Sequence, residues 1–100
     1  MQRKPISTGD SKPVSREFKI LNKFGIHARP AALLVKTVSQ FQSEVTVEKE
    51  GAMASAKSIM GLLTLEGHQG ATLKFVATGA DAEDALNAVQ DLIAKKFFED

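Results

Sequence analysis

The chain has 100 residues, of which 43% are hydrophobic and 25% charged, as expected for one small globular domain. Thirteen Lys and Arg against 12 Asp and Glu give a net charge of +1, which argues against a dedicated nucleic-acid binder. The absence of cysteine excludes disulfides, thiolate metal sites and a cysteine nucleophile, and it is consistent with a cytoplasmic protein. No apolar run reaches the roughly 18 residues that a membrane span needs, so no membrane insertion is expected.

The first predicted elements are a tail, a strand and a helix. Residues 1–15 are polar, contain two prolines and lack a regular period, so we predict a flexible N-terminal tail before a domain over residues 16–100. Alternation around Phe18 and Ile20 predicts a strand over about 16–23. A helix is predicted to begin at Pro30, with its buried stripe at Ala31, Leu34, Val35 and Val38.

The rest of the chain continues this alternation of strands and helices. Strands over 44–48 and 53–55 predict a hairpin, and Ser58 is the predicted N-cap of a short helix over about 59–65. A fourth strand around Phe75 precedes a last helix, which Asp81 is predicted to cap and Lys95 and Lys96 to end. This order predicts an α+β sandwich with helices on one face of an antiparallel sheet, and ferredoxin-like topology is the generic guess.

Residues 25–32, GIHARPAA, lie where the first strand meets the first helix. A helix start has N–H groups without intrahelical partners and about half a positive charge, so it suits phosphate. Arg29 adds a donor fork for phosphate oxygens, and a neutral His27 has a lone pair for nucleophilic attack. From spacing alone, an ordinary loop histidine is the commoner interpretation. Because Pro30 disfavours helical geometry at Arg29, either Arg29 is the N-cap and His27 lies just outside, or the first turn is distorted.

GIHARPAA resembles the active-site signature of the HPr family, the histidine phosphocarriers of the bacterial phosphotransferase system, and KSIMGL at 57–62 resembles the family's regulatory-serine motif. The resemblance extends from Val14 to the C-terminus and implies an open-faced sandwich of four antiparallel strands and three helices. It implies that His27 accepts a phosphoryl group from enzyme I, with help from Arg29, and passes it to a sugar-permease A domain. It also implies that HPr kinase/phosphorylase modifies Ser58 in bacteria that have that enzyme; the alternative is an unregulated N-cap.

The short helix is apolar around most of its circumference, whereas a helix on a sheet needs only one apolar stripe. The excess predicts an exposed patch for partner docking, unless all these residues belong to the core. The family resemblance places docking at Ala32, Lys36, Ile59, Met60 and Leu63.

The second histidine and the acidic residues near the last helix are interpreted as structural rather than functional. His68 is interpreted as a plain loop residue, because no second histidine or cysteine lies at metal-ligand spacing, and no metal site is expected. The acidic residues Asp81, Glu83 and Asp84 are interpreted as helix capping. No cofactor is expected, and the domain is better described as a phosphorylated carrier than as a stand-alone enzyme. Because transient transfer favours modest interfaces, a monomer is expected.

Two other functions stay open at this level. One is the nitrogen-related paralogue of the carrier, often called NPr, which shares the histidine motif but serves a regulatory phosphorelay. The other is a non-catalytic, ferredoxin-like binding module in which His27 is incidental.

Overall fold

The computed structural model describes residues 12–99 and contains the predicted elements in the predicted order. Of the predicted tail, residues 1–11 lie outside the described residues. The first strand begins at Val14 rather than at Arg16, because Val14 already pairs with Ala77 of the fourth strand. The bounds are β1 (Val14–Lys19), α1 (Ala28–Val38), β2 (Glu44–Lys49), β3 (Ala52–Ser55), α2 (Ile59–Thr64), β4 (Thr72–Thr78) and α3 (Ala82–Ala94).

The strands form one sheet in the order β1-β4-β2-β3, and every neighbouring pair is antiparallel. A ferredoxin-like arrangement would place β1 inside the sheet, whereas β1 here is an edge strand that pairs only with β4. The generic ferredoxin-like guess is therefore wrong, because element order alone does not determine which strands become neighbours. The open-faced sandwich implied by the family resemblance is confirmed.

The core lies between the helices and one face of the sheet. Along β4, Leu73, Phe75 and Ala77 are buried while Thr72 and Lys74 are exposed, so the opposite face is open to solvent. The helices contribute the apolar stripes that periodicity predicts. Their buried residues are Pro30, Ala31, Leu34 and Val38 of α1, Leu62 of α2, and Ala82, Ala85, Leu86, Val89, Leu92 and Ile93 of α3. None of the helices in the described part of the chain is long and apolar enough to cross a membrane.

Asp81 occupies the N-cap position of α3 but does not cap it with its side chain, so the predicted capping role is wrong for this residue. Its carboxylate instead accepts hydrogen bonds from the backbone N–H groups of Gln42 and Ser43, at 2.8 and 2.9 Å, and from the Ser43 hydroxyl. These bonds attach the loop before β2 to the start of α3. They also explain why the Asp81 carboxylate binds this loop rather than the N–H groups of α3, because the loop offers it three donors at once.

The two lysines predicted in the last turn of α3 lie beyond it. The helix ends at Ala94, Lys95 is its C-cap, and Lys96 already has a positive φ of 53°. The prediction failed because the apolar stripe continues to Phe97, which is buried but belongs to a separate turn after the helix.

Candidate functional site

His27 is the N-cap of α1, with an extended backbone at φ −90° and ψ −169°. Its carbonyl accepts the N–H of Ala31 at 2.9 Å, which closes the first turn. The helix therefore begins two residues before Pro30, and His27 rather than Arg29 is the cap. Pro30 is the third helical residue, where its missing N–H removes no intrahelical hydrogen bond.

The first turn of α1 leaves donors available for an anion. The backbone N–H groups of Ala28 and Arg29 precede the first intrahelical bond, and both residues are exposed. The His27 side chain makes no capping hydrogen bond to them. Since 42% of that side chain is exposed, its ring is open to a partner protein and lies beside a helix end that favours negative charge.

The Glu99 carboxylate connects the two residues that the sequence assigned to phosphoryl transfer. His27 Nε2 lies 2.9 Å from Glu99 Oε2, and Arg29 Nη1 donates to the same oxygen at 3.1 Å. The other oxygen, Oε1, accepts a hydrogen bond from Asn22 Nδ2 at 2.9 Å. The Asn22 amide is the main cause that holds the pKa of Glu99 below its usual range; desolvation opposes this shift, and the bonds from His27 and Arg29 support it.

A left-handed turn after α3 places Glu99 at this site. Lys96, Phe97 and Phe98 have φ values of 53°, 55° and 61°, and none of them is glycine. Left-handed backbone costs a non-glycine residue about 1–2 kcal/mol, so the surrounding contacts must hold the turn in place. Phe97 is fully buried in the core, and its carbonyl accepts a hydrogen bond from Arg29 Nη1 at 3.2 Å.

The loop before His27 is held by the segment after α2. Gly25 has a φ of 67°, and a Cβ at this position would overlap the Gly67 carbonyl, so only glycine fits. The same carbonyl accepts the N–H of Ile26 at 2.8 Å. Asn22 Nδ2 donates to the Gly25 carbonyl at 2.8 Å, which fixes the loop from its other side.

Ser58 is the N-cap of α2, as predicted, and its Oγ accepts the N–H of Gly61 at 3.0 Å. The side chain is half-buried. A phosphoryl group on this oxygen would stand at a helix start, where negative charge is favoured. Its regulatory role stays a prediction.

The apolar residues of α2 divide between core and surface. Leu62 is buried and Leu63 half-buried, whereas Ile59 and Met60 are 40% and 71% exposed. The predicted exposed apolar patch is therefore present, and the alternative that all these residues are core is wrong. The two docking residues predicted on α1, which packs against α2, are both exposed: Ala32 and Lys36.

His68 is exposed, and its Nδ1 lies 3.3 Å from the Glu66 carbonyl. Within residues 12–99, no group of three or more His, Cys, Asp or Glu side chains could hold a metal ion.

Three residues at the site were not predicted from the sequence. Glu99 is 72 residues from His27 along the chain, so no local pattern links them. Asn22 is fully buried beside Leu21 and Lys23, which are exposed, and one buried polar residue in the loop after β1 has no periodic signal. Phe24 is 71% exposed with its ring edge-to-face to His27, at 6.3 Å between centroids. Its only signal in the sequence is that an aromatic residue directly precedes the motif.

Comparison with known proteins gives one consistent assignment. A family model described as the PTS HPr component phosphorylation site matches residues 14–95. The phosphocarrier protein HPr of Xylella fastidiosa is 39% identical over 87 residues, which cover 87% of this chain and 98% of that protein. The multiphosphoryl transfer protein of Escherichia coli O157:H7 is 43% identical over 94 residues, which cover 87% of this chain and 25% of that protein. The chain thus spans about a quarter of the length of that longer relative.

Solved structures agree with the sequence comparison. A crystal structure of HPr from Thermoanaerobacter tengcongensis matches with a TM-score of 0.84 and 47% identity, covering 87% of this chain and 98% of that one. HPr from Bacillus anthracis matches with a TM-score of 0.78 and 36% identity, covering 81% and 96% of the two chains. With the fold, the histidine motif and the family match in agreement, the chain belongs to the HPr family of phosphocarriers of the phosphotransferase system.

Proposed function

We propose that this protein carries a phosphoryl group on His27, accepting it from phospho-enzyme I and passing it to a sugar-permease A domain. The observation that carries the proposal is an exposed histidine at the N-terminus of α1, beside two backbone donors and the Arg29 guanidinium. A helix start supplies the positive potential, and Arg29 supplies charge-assisted hydrogen bonds to the phosphoryl oxygens.

The transfer exchanges one nitrogen–phosphorus bond for another. The lone pair of a His27 ring nitrogen attacks the phosphorus of the phosphohistidine on enzyme I. The bond between phosphorus and the donor histidine breaks as the new bond forms, and the donor ring keeps the bonding electron pair. In the second transfer the roles are exchanged: a histidine of the sugar-permease A domain attacks the phosphorus, and His27 is the leaving group. The chain acts as a carrier between two enzymes rather than as a stand-alone enzyme.

The direct test uses labelled phosphoenolpyruvate and enzyme I. We expect wild type and His68→Ala to acquire an acid-labile, base-stable phosphate, and His27→Ala to acquire none. His68→Ala is the matched control, because His68 is also exposed but lies outside the transfer site. Label that persists in His27→Ala, or that is stable in acid as a serine phosphate is, would contradict the proposal. The same assay, run with the phosphoryl donor of the sugar system and with that of the nitrogen-related system, separates a sugar-system carrier from the nitrogen-related paralogue.

The partners are expected to dock on the helical side of the molecule. Ile59 and Met60 present apolar surface on α2, and Ala32 and Lys36 are exposed on the adjacent α1. Met is well suited to a surface that receives more than one partner, because its side chain is flexible. A modest interface of this kind fits a carrier that acts as a cytoplasmic monomer and releases each partner quickly.

Regulation at Ser58 is part of the proposal. Phosphorylation of its Oγ by HPr kinase/phosphorylase would add about −1.5 to −2 charges at the start of α2. The fold would tolerate this charge, because a helix N-terminus favours it. Ile59 and Met60 follow directly in the chain and are exposed, so the new charge would oppose docking on apolar surface rather than unfold the domain.

Ser58→Asp places a comparable charge at this position. We expect it to slow phosphoryl acceptance from enzyme I while its circular dichroism spectrum stays that of wild type. Ser15→Asp is the control, because Ser15 lies on β1 and is exposed, whereas its neighbours Val14 and Arg16 are partly buried on the helical face. Equal rates for Ser58→Asp and wild type would show that charge at Ser58 does not regulate transfer.

A further inference from the structure

We propose that Phe24 is a positioning residue for His27: its ring lies edge-to-face against the imidazole and restricts the rotation of that imidazole. The part that concerns phosphoryl transfer rests on the proposed function, whereas the restriction of the ring does not.

The contact between the two rings has a defined geometry. The ring centroids of Phe24 and His27 are 6.3 Å apart, and the ring planes are perpendicular, at 90°. Aromatic pairs favour this arrangement, because the positive edge of one ring meets the negative face of the other. An exposed phenylalanine needs no explanation by itself, but this one contacts the histidine to which phosphoryl transfer is assigned.

Phe24 lies on a loop that is itself held in place. Directly after it, Gly25 adopts a φ of 67° that the close Gly67 carbonyl reserves for glycine, and the N–H of Ile26 donates to that carbonyl at 2.8 Å. The ring of Phe24 also has a charged neighbour, because the Lys23 ammonium lies 5.4 Å from its centroid in a cation–π contact. With its backbone fixed and its ring in contact with a cation, Phe24 can limit the motion of the imidazole beside it.

The imidazole needs this contact because its other restraints are few. The His27 side chain is 42% exposed and makes no capping bond to the first turn of α1. The bond to Glu99 holds one ring nitrogen, but a single hydrogen bond leaves the plane of the ring free to turn about it. The perpendicular ring of Phe24 limits that turn. The lone pair of His27 therefore meets phosphorus in a narrower range of orientations, and ordering a reacting group in advance lowers the entropic part of the barrier.

The first measurement is made on the free protein by carbon-13 NMR relaxation, which gives an order parameter for each histidine ring. We expect a higher order parameter for His27 than for His68. Phe24→Ala should lower the His27 value toward that of His68, whereas Phe24→Tyr should preserve it, because tyrosine keeps an aromatic ring. Leu21→Ala is the control, since it removes a 40% exposed apolar side chain from the same loop.

The fold should survive these substitutions, because Phe24 is 71% exposed and does not belong to the hydrophobic core. An amide NMR spectrum that stays native-like outside the loop before α1 checks this. An order parameter of His27 that is unchanged in Phe24→Ala would overturn the positioning role.

The second measurement is the steady-state rate of phosphoryl acceptance from enzyme I. Loss of an aromatic contact of about 0.5–1.5 kcal/mol corresponds to a roughly 2- to 10-fold fall in kcat for Phe24→Ala, with KM for enzyme I unchanged. Phe24→Tyr and Leu21→Ala should stay near wild type. An unchanged kcat in Phe24→Ala, or a change confined to KM, would overturn the positioning role, and the latter would make Phe24 a docking contact. A wild type that enzyme I fails to phosphorylate would overturn the proposed function instead, and the order parameter would still report on Phe24.

Discussion

At the level of single residues, Arg29 is expected to contribute more to phosphoryl stabilisation than the helix end does. A helix terminus is worth typically about 0.3–1 kcal/mol to a nearby charge, which is less than the about 1.5–3 kcal/mol that a charge-assisted hydrogen bond contributes. The guanidinium is fixed from one side by Glu99 and by the Phe97 carbonyl. It therefore needs little reorganisation when phosphorus arrives at His27.

Arg29→Ala is predicted to slow phosphoryl acceptance roughly 10- to 100-fold, which corresponds to the loss of about 1.5–3 kcal/mol of charge-assisted hydrogen bonding. Arg29→Lys should recover only part of the rate, because a lysine keeps the charge but lacks the planar fork. Single-turnover mixing with phospho-enzyme I measures both. A wild-type rate in Arg29→Ala would mean that the backbone donors of α1 are sufficient.

At the level of elements, α2 has a buried packing side and an exposed apolar side within six residues. Two methionines of similar exposure allow this division to be tested: Met60 on α2 is 71% exposed, and Met53 on β3 is 64% exposed. On β3 the neighbouring Ala54 packs against the core, so Met53 points away from the helices.

Met60→Glu is predicted to raise KM for enzyme I several-fold and leave kcat near that of wild type, because it removes docking surface and does not touch His27. Met53→Glu should change neither constant, since it places the same charge on the open face of the sheet. Steady-state kinetics with enzyme I as the variable partner checks both. Equal effects from the two substitutions would point to net charge rather than to docking on α2.

The link between the loop before β2 and the start of α3 depends on one ionised carboxylate. The hydrogen bond from the Ser43 hydroxyl, followed by that from the Gln42 N–H, holds the pKa of Asp81 below its usual range. Because the folded pKa is the lower one, the bound carboxylate stabilises the fold above about pH 4. This stabilisation is lost as pH falls through the folded pKa.

Asp81→Asn is therefore predicted to lower the urea midpoint of unfolding at pH 7. The difference in midpoint between variant and wild type should become smaller as the pH is lowered below about 4. Urea titrations of both proteins across this range measure it. Asp84→Asn is a suitable control, because Asp84 is exposed in the first turn of the same helix. A difference in urea midpoint that stays constant with pH would show that the charge of Asp81 does not hold the loop before β2.

At the level of the whole molecule, the open-faced architecture leaves one side of the sheet to solvent and packs the helices on the other. The loop from β1 to α1 carries His27, and the turn from β3 to α2 carries Ser58. The segment after α3 then returns to His27 through Glu99. Residues from the two ends of the described chain thus form one site, which local sequence patterns cannot show.

The features of the fold that the sequence predicts are those that depend on interactions between residues close together in the chain. Alternation around Phe75 and the stripe through Leu34 depend on neighbouring residues, so the strands and helices could be assigned from sequence. Strand order and the Glu99 contact depend on residues far apart, so they could not. Asp81 shows the intermediate case: the helix start was predicted, but the side chain binds Ser43 across the fold instead.

The central claim is that phosphorus is carried on a ring nitrogen of His27, the N-cap of α1. Phosphorus–nitrogen correlation NMR on ring-labelled protein, phosphorylated by enzyme I and phosphoenolpyruvate, tests this directly. We predict one phosphorus signal coupled to a ring nitrogen of His27 and none coupled to His68. Coupling to either nitrogen of His68, or to no histidine nitrogen, would contradict the account.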